Sequence, residues 1–366
     1  MRASLFLGPD RPLEVVDDVD IAEPGPGYVR VRMTHCSICH SDLHVLSGMI
    51  PTPVPTVLGH EGAGFIESVG LGVAHLTPGD KVIVTPMVSC GFCHACVTGH
   101  PTVCDLAIGW PTGLLPDGTS ALSRKGELVY RGNGLGGWAD FAVVAAAAAI
   151  KVPADTPLDV ACVIGCAVQT GAGAALNTAR VHEGANVLVM GLGGIGLSAV
   201  LGAKVAGAAQ IIVSDPVEAR RNVALAIGAT TAIDPTSEDV VHTVRGLTGG
   251  LGVDYAFDAA GSSALIATGV RATCRGGATV LIGAPDPSDS LASINPSSLI
   301  VNEKRILAAM VGSTLAPRDF PRLVSLWRNG RIDLDRLVTR RRPLEEINQG
   351  FDDLRNGIGI RTVIEL

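Results

Sequence analysis

The sequence predicts an α/β protein of two domains, one rich in short strands and one built on a doubly wound parallel sheet. Three observations predict it. A chain of 366 residues is too long for one ordinary core. From about residue 187 the apolar runs VLVM, QIIVSD, TTAID, VDYAFD, ATVLIG and RILAAM recur, with helix-compatible segments such as EARRNVALAIGA between them. That is the rhythm of parallel strands joined by crossover helices. Before residue 150 the runs are short and β-like instead, YVRVRM, AGFIESVG and DKVIVTP, each bounded by glycine or proline.

Composition narrows the class. The chain is 47% hydrophobic and 17% charged, which suits a well-buried globular protein. A net charge of −7 with no basic tract argues against nucleic acid as a partner. The N-terminal MRASLFLGPDRPLEVVDD has no long apolar core and no small-residue cleavage site, so no secretory signal is expected. The longest apolar run, residues 187–203, carries five glycines and reads as a buried strand, turn and helix, not a membrane span. A cytoplasmic protein is expected. Thiols stay reduced there, so nine cysteines point to metal or catalysis in preference to disulfides.

Along the chain, residues 105–137 are turn-rich and read as a long excursion, and long ordered loops are often functional. Beyond residue 312 the pattern is mixed, ending in the β-like IRTVIEL.

The run VLVMGLGGIGLSAV places Gly191, Gly193 and Gly196 directly after a strand and at the start of a helix, with Gly194 and Ile195 between them in the same turn. The first glycine allows the tight turn, the second lets the backbone approach a pyrophosphate, and the third lets helix pack on sheet. Asp215 closes the next strand, where a carboxylate accepts hydrogen bonds from the adenosine ribose and repels a 2′-phosphate. A Rossmann NAD site is therefore expected here, with Arg220 and Arg221 near enough to soften the preference over NADP.

SCGFCHACVTGHPTVC brings Cys90, Cys93, Cys96 and Cys104 within reach of one ion. Four soft sulfurs suit tetrahedral zinc, which is redox-inert and keeps no open position when all four donors are protein. No proline-terminated ferredoxin run accompanies them, and a redox pair needs only one C-x-x-C. The knot reads as a closed structural site, so any chemistry lies elsewhere.

Three other places carry metal-type residues: SICHSDLH with Cys39 and His44, LGHEGAG with His60 and Glu61, and IGCAVQTGAG with Cys166. Two thiolates and an imidazole make a three-donor zinc shell with a vacant fourth position. Taken singly each has a bland reading: Cys166 as a small buried hydrophobe, His60 as a hydrogen-bonded core histidine. Their spacing does not bring them together.

Several of these motifs occur in one order, SICHSDLH, VLGHEGAG, SCGFCHACVTGHPTVC, IGCAVQTGAGAALNTARVHEGANVLVMGLGGIGLSAV and IRTVIEL. In that order the chain resembles the zinc-dependent, medium-chain alcohol dehydrogenases over nearly its full length. Alcohol dehydrogenase is itself the standard example of the Cys2His open shell. The resemblance implies a GroES-like catalytic domain over residues 1–167 and 313–366 and a Rossmann domain over 168–312. It implies that Cys39, His60 and Cys166 hold a catalytic zinc, with Glu61 near the metal and Asp42 orienting the histidine, and that the knot holds a second, structural zinc. Ser41 matches the hydroxyl that receives the substrate proton and His44 the relay base. Thr170 matches a contact to the nicotinamide end, and Arg361 an arginine that pairs with cofactor phosphate. Read without the resemblance, Arg361 is a solvated strand-end charge.

Two departures bear on function. His40 stands where several relatives carry an arginine against the pyrophosphate, which implies faster or pH-sensitive cofactor release. Ile50 and Ile108 replace the polar pair that holds glutathione in formaldehyde dehydrogenases, so an apolar pocket with Met49, Ile50 and Trp110 as walls is expected. The insertion GLLPDGTSALSRKGELVYRG looks like the long loop of the dimeric branch, which implies a homodimer. The implied activity is NAD-dependent oxidation of primary alcohols to aldehydes. Its rivals are a nicotinoprotein with permanently bound NAD and an external electron acceptor, and a non-catalytic NAD- or zinc-binding protein. Cys36, Cys162 and Cys274 carry no assigned role.

Overall fold

The computed structural model describes residues 1–105, 112–286, 288–290 and 294–366. Contacts divide the chain into two compact units. One comprises Met1–Cys166, Leu315–Ser325 and Val338–Leu366, and the other Ala167–Thr314 and Leu326–Leu337. The segment Leu326–Leu337 groups with the second unit, although the sequence reading assigns it to the first domain.

The first unit begins with β1 (Ala3–Phe6), β2 (Glu14–Val16), β3 (Asp20–Ile21) and β4 (Tyr28–Ser37), followed by helix α1 (His40–Leu46). It continues through β5 (Thr56–Val57), β6 (Glu61–Val69), β7 (Lys81–Val84) and α2 (His94–Val97). Then come β8 (Leu122–Arg124), β9 (Glu127–Arg131), β10 (Phe141–Ala145), β11 (Ala149–Lys151) and α3 (Leu158–Ala161). The runs YVRVRM, AGFIESVG and DKVIVTP fall on β4, β6 and β7, whose alternating β-branched residues turn one face inward. The inward set includes Val29, Val31, Met33, Val82 and Val84.

The second unit runs from α4 (Ala167–Gly173) through β12 (Asn186–Met190), α5 (Gly194–Val205), β13 (Gln210–Ser214), α6 (Glu218–Ile227) and β14 (Thr231–Ile233). It continues with α7 (Val240–Leu247), β15 (Val253–Asp258), α8 (Ser263–Ala272), β16 (Thr273–Leu281), α9 (Pro296–Val301) and β17 (Arg305–Ala308). The chain closes with α10 (Ala316–Arg328), β18 (Val338–Pro343), α11 (Ile347–Arg355) and β19 (Arg361–Glu365).

In the first unit one sheet has the order β11-β7-β6-β4-β19-β18 with β10 also on β4, and another the order β2-β1-β5-β9-β8-β3. IRTVIEL is β19, inserted between β4 and β18. Trp138, fully buried, meets Phe351 edge to face at 5.5 Å. The excursion is more ordered than its composition suggests. Within it β8 and β9 form a hairpin closed by Lys125 and Gly126, at φ 54° and 84°, the two positive values that a tight hairpin turn needs.

The second unit's sheet is parallel, with the order β14-β13-β12-β15-β16-β17. All six predicted strands are present, and the order reverses at β12, the switch point beside which open α/β sheets bind ligands. Among the described residues no single helix is long and apolar enough to cross a membrane.

Candidate metal centres and dinucleotide site

The knot closes on itself. Cys90, Cys93, Cys96 and Cys104 offer sulfurs that all lie within 4.8 Å of one another. Cys93 stands 3.7 Å from Cys104 and Cys90 4.0 Å from Cys96, sulfur to sulfur. Zinc–sulfur bonds of about 2.3 Å in a tetrahedron give edges of about 3.8 Å, so the four thiols fit one ion. Sulfurs bound to separate irons of a cluster stand farther apart. Backbone N–H groups reinforce the set, Cys93 N donating to Cys90 Sγ at 3.3 Å and Cys90 N to Cys104 Sγ at 3.4 Å. Burial raises the Cys90 thiol, but the N–H groups of Phe92 and Cys93 outweigh it and bring the pKa to about 7. A thiol so poised yields readily to a metal.

The second cluster is assembled from three distant stretches of chain. Cys39 precedes α1, His60 precedes β6 and Cys166 precedes α4, and their donor atoms also converge within 4.8 Å. Cys39 and Cys166 are 3.9 Å apart at sulfur, again the edge of a zinc tetrahedron. Three donors leave the fourth corner open.

Asp42 binds this cluster together. One carboxylate oxygen accepts from the Cys39 backbone N–H at 3.1 Å, and the other lies 3.1 Å from His60 Nδ1. With Nδ1 engaged, Nε2 is the nitrogen left for a metal. Gly59 sets the approach: at φ 88° it takes a backbone that L residues rarely adopt, and a Cβ there would stand 2.8 Å from the Trp138 ring. Burial pushes the His60 pKa down, but the charge and hydrogen bond of Asp42, with Cys39 adding to them, hold it well above its ordinary value. The hydrogen bond from Cys166 holds the Cys39 thiol well below the usual range despite burial, with Arg361 and His60 assisting. The buried donors thus gather positive groups around a thiolate, the demand that a divalent cation meets. Asp42→Ala removes the acceptor for both partners. Zinc affinity at this cluster should fall about 10- to 100-fold, read by competition with a chromogenic chelator, while the four-cysteine site keeps its metal.

Neighbouring side chains divide between expectation and correction. Ser41 Oγ lies 3.8 Å from Cys39 Sγ, and His44 follows three residues later on the same face of α1. Glu61 is fully buried but is not among the converging donors, and its carboxylate stands 3.7 Å from Arg361 Nη1. Arg361 is 4% exposed and donates to Ile38 O at 2.9 Å, so it is not a solvated strand-end charge. Burial opposes its charge, but Glu61, Cys39 and Cys166 more than compensate. Among the described residues its Nε has no hydrogen-bond partner, a buried donor suited to an anionic group. His40 is exposed at the first position of α1. Met49 is half-buried and Ile50 42% exposed, while Ile108 and Trp110 lie outside the described residues. Burial pushes the Cys36 and Cys162 thiols well up, as expected of inert packing cysteines.

In the second unit β12 ends at Met190 and the glycine turn leads into α5. Gly191 is left-handed at φ 86°, and a Cβ on Gly196 would fall 1.8 Å from Gly191 O, so turn and helix start need both glycines. Gly193 differs: a Cβ there meets nothing within 4 Å. Gly193 is the residue just before α5, whose first N–H groups, at Gly194, Ile195 and Gly196, have no partner within the helix. A helix start of this kind, with room in front of it, is suited to an anionic phosphate group. Asp215 accepts from Leu192 N at 2.7 Å and Val217 N at 2.8 Å, tying the turn to the end of β13. Each carboxylate oxygen keeps a further lone pair for a ribose hydroxyl. Arg221 is committed to Asp215 O, Pro216 O and Asp234, while Arg220 is half-buried on α6. Thr170 is buried on α4. Gly193→Ala should leave stability within about 1 kcal/mol, since its φ of −73° suits alanine. It should weaken NAD binding at least about tenfold, read by calorimetric titration, because the methyl occupies that room.

Comparison with known proteins agrees with this geometry. The family model described as alcohol dehydrogenase GroES-like domain matches residues 25–154, and the one described as zinc-binding dehydrogenase matches residues 194–329. A crystallised alcohol dehydrogenase zinc-binding domain protein from Burkholderia ambifaria is 36% identical, spans 100% of this chain and 98% of its own, and superposes with a TM-score of 0.95. The chain belongs to the zinc-dependent medium-chain alcohol dehydrogenase family. As a member of that family it is an oxidoreductase, with a GroES-like β-rich first unit and a Rossmann second unit. Benzyl alcohol dehydrogenase from Acinetobacter calcoaceticus is 33% identical over 100% of this chain and 99% of its own, with a TM-score of 0.94. A Mycobacterium tuberculosis protein provisionally named alcohol dehydrogenase D is 36% identical across 99% of this chain and 98% of its own.

One arrangement in the alcohol dehydrogenase framework escaped the sequence reading. Asp258, at the end of β15, accepts from the N–H groups of Ala260, Gly261 and Ser262 at 3.1 Å each. It orders the segment that lies against Gly191, where a Cβ would stand 3.0 Å from the Ala260 methyl. The signal available was an aspartate followed closely by glycine after a strand, the pattern of an Asx turn.

Proposed function

We propose that this chain is a zinc- and NAD-dependent dehydrogenase that oxidises primary alcohols, aliphatic or aromatic, to aldehydes and runs reversibly. The observation that carries the reading is the open cluster of Cys39, His60 and Cys166, with Asp42 bound to two of its three members. A purely structural metal needs no vacant corner, and the four-cysteine knot already supplies a closed one.

When bound, zinc supplies a Lewis acid that makes an alcohol hydroxyl more acidic, and the nicotinamide supplies a hydride acceptor. The chain's residues do the rest. Cys39, His60 and Cys166 would hold the metal, and Asp42 keeps the His60 tautomer. Ser41 Oγ takes the alcohol proton, and His44 passes it to solvent. The N–H groups at Gly193–Gly196 and the side chain of Asp215 hold pyrophosphate and adenosine ribose, with Arg220 beside them, which favours NAD over NADP. Thr170 serves the nicotinamide end, and His40 and Arg361 the phosphates.

The likeness to benzyl alcohol dehydrogenase supports an aromatic primary alcohol among the substrates. A cytoplasmic homodimer is the assembly consistent with this reading. The dimer is supported by β17 at the edge of its sheet and by Ile300 and Val301, exposed at 77% and 76% on α9. The test is nicotinamide absorbance with a panel of primary alcohols, each with NAD and with NADP. Reduction of added NAD is the expected result. Turnover that appears only with an artificial electron acceptor would replace it with the nicotinoprotein reading, in which NAD stays bound.

A further inference from the structure

The Rossmann unit carries a strained turn that no motif announces. After β17 the chain passes through Val311, Gly312 and Ser313, all left-handed, at φ 47°, 67° and 51°. Only the middle residue is glycine. A left-handed β-branched residue is a genuine outlier, and such strain persists only where surrounding contacts impose it, most often at ligand clamps and switches.

The contacts that impose it come from one place. Thr178 Oγ1 and Ser313 Oγ share a hydrogen bond of 2.8 Å, and Asn177 Nδ2 donates to Gly312 O at 3.5 Å. Thr314 Oγ1 donates to Gln169 O at 3.1 Å. Asn177 and Thr178 lie on a wide π-helical turn, Ala174–Thr178, that continues α4. Such turns are rare and concentrate at functional sites. Gly312 is pressed so closely that a Cβ on it would come within 2.3 Å of Gln169 O and 2.6 Å of Thr170 O. Met310, by contrast, is 40% exposed, so the turn has an open side.

Position says what that side faces. The turn follows the carboxyl end of β17, on the ligand-binding edge of the sheet. With its pyrophosphate at the glycine turn after β12 and its adenosine ribose at Asp215 after β13, a dinucleotide extends its other nucleoside over β15, β16 and β17. The strained turn stands on that second side.

We propose that Thr178 and Ser313 form a positioning clasp that holds the Val311–Ser313 backbone in its left-handed form and thereby sets how tightly the non-adenosine half of the dinucleotide is retained. This rests on the dinucleotide reading above. Neither hydroxyl needs to touch the ligand: each acts through the backbone it holds.

The test uses full-length, zinc-loaded protein and two ligands, NADH and ADP-ribose, which lacks the nicotinamide. Thr178→Val keeps the shape and removes the hydroxyl. Its Kd for NADH should rise about five- to tenfold while ADP-ribose binding stays within about twofold. Thr178→Ser should restore wild-type affinity, and Ser313→Ala should reproduce the loss, with no further loss in the double variant because the pair acts as a unit. Retained ADP-ribose binding reports that each variant is folded. An equal loss for both ligands, or no loss for either, would overturn the clasp. Failure of wild-type protein, freed of any copurified dinucleotide, to bind either ligand would overturn the dinucleotide reading itself.

Discussion

Cys166→Ala should abolish alcohol oxidation while leaving a folded protein that still binds NAD. The substitution removes one of the three donors at the open cluster and adds no bulk. Lewis-acid stabilisation of developing charge is worth several kcal/mol, and each 1.36 kcal/mol is a factor of ten. The fall in kcat/KM should therefore be about a thousandfold or more. Zinc content should fall by one ion per chain. The glycine turn belongs to the other unit, so NAD affinity should be nearly unchanged. Turnover at the wild-type rate would show that the open cluster is not the reacting centre.

The second large effect is on stability. Cys104→Ala breaks the closed site, and little else holds that lobe. The helix inside it, α2, buries no residue, and Phe92, Val97 and Val103 are 72%, 67% and 56% exposed. A segment without an apolar core cannot offset its own ordering entropy. Structural zinc contributes about 10–16 kcal/mol in small metal-folded peptides, so its loss should unfold residues 90–104 locally. Hydrogen exchange should show lost amide protection across those residues, and chymotrypsin, for which Phe92 is a cleavage site, should nick there first. The open cluster should keep its zinc. Unchanged protection would mean that the lobe is held by packing and not by metal.

What could be read from the sequence follows the range of the interactions. The glycine turn and the knot are local: strand, turn and helix adjoin in one run, and four cysteines fall close together, so motif and geometry coincide. The parallel sheet was legible because its central strands β12, β13 and β15 are buried almost throughout and read as near-continuous apolar runs. The open cluster was not legible from spacing, because Cys39, His60 and Cys166 meet only through the tertiary fold, and only the family resemblance named them together. Arg361 shows the same limit, since nothing in IRTVIEL says that its guanidinium is buried beside Glu61. The Thr178–Ser313 pair is less visible still, because a left-handed valine leaves no mark in the sequence.

The most direct test of the central claim is isotopic. Zinc-loaded protein would be given a primary alcohol deuterated at the carbinol carbon, with NAD in excess, and the cofactor recovered for mass spectrometry. The account predicts deuterium on the reduced nicotinamide without dilution by solvent protons, whether the cofactor is exchangeable or stays bound. Aldehyde formed with no deuterium on the nicotinamide, or no aldehyde at all from any primary alcohol, would contradict hydride transfer at the Cys39–His60–Cys166 centre.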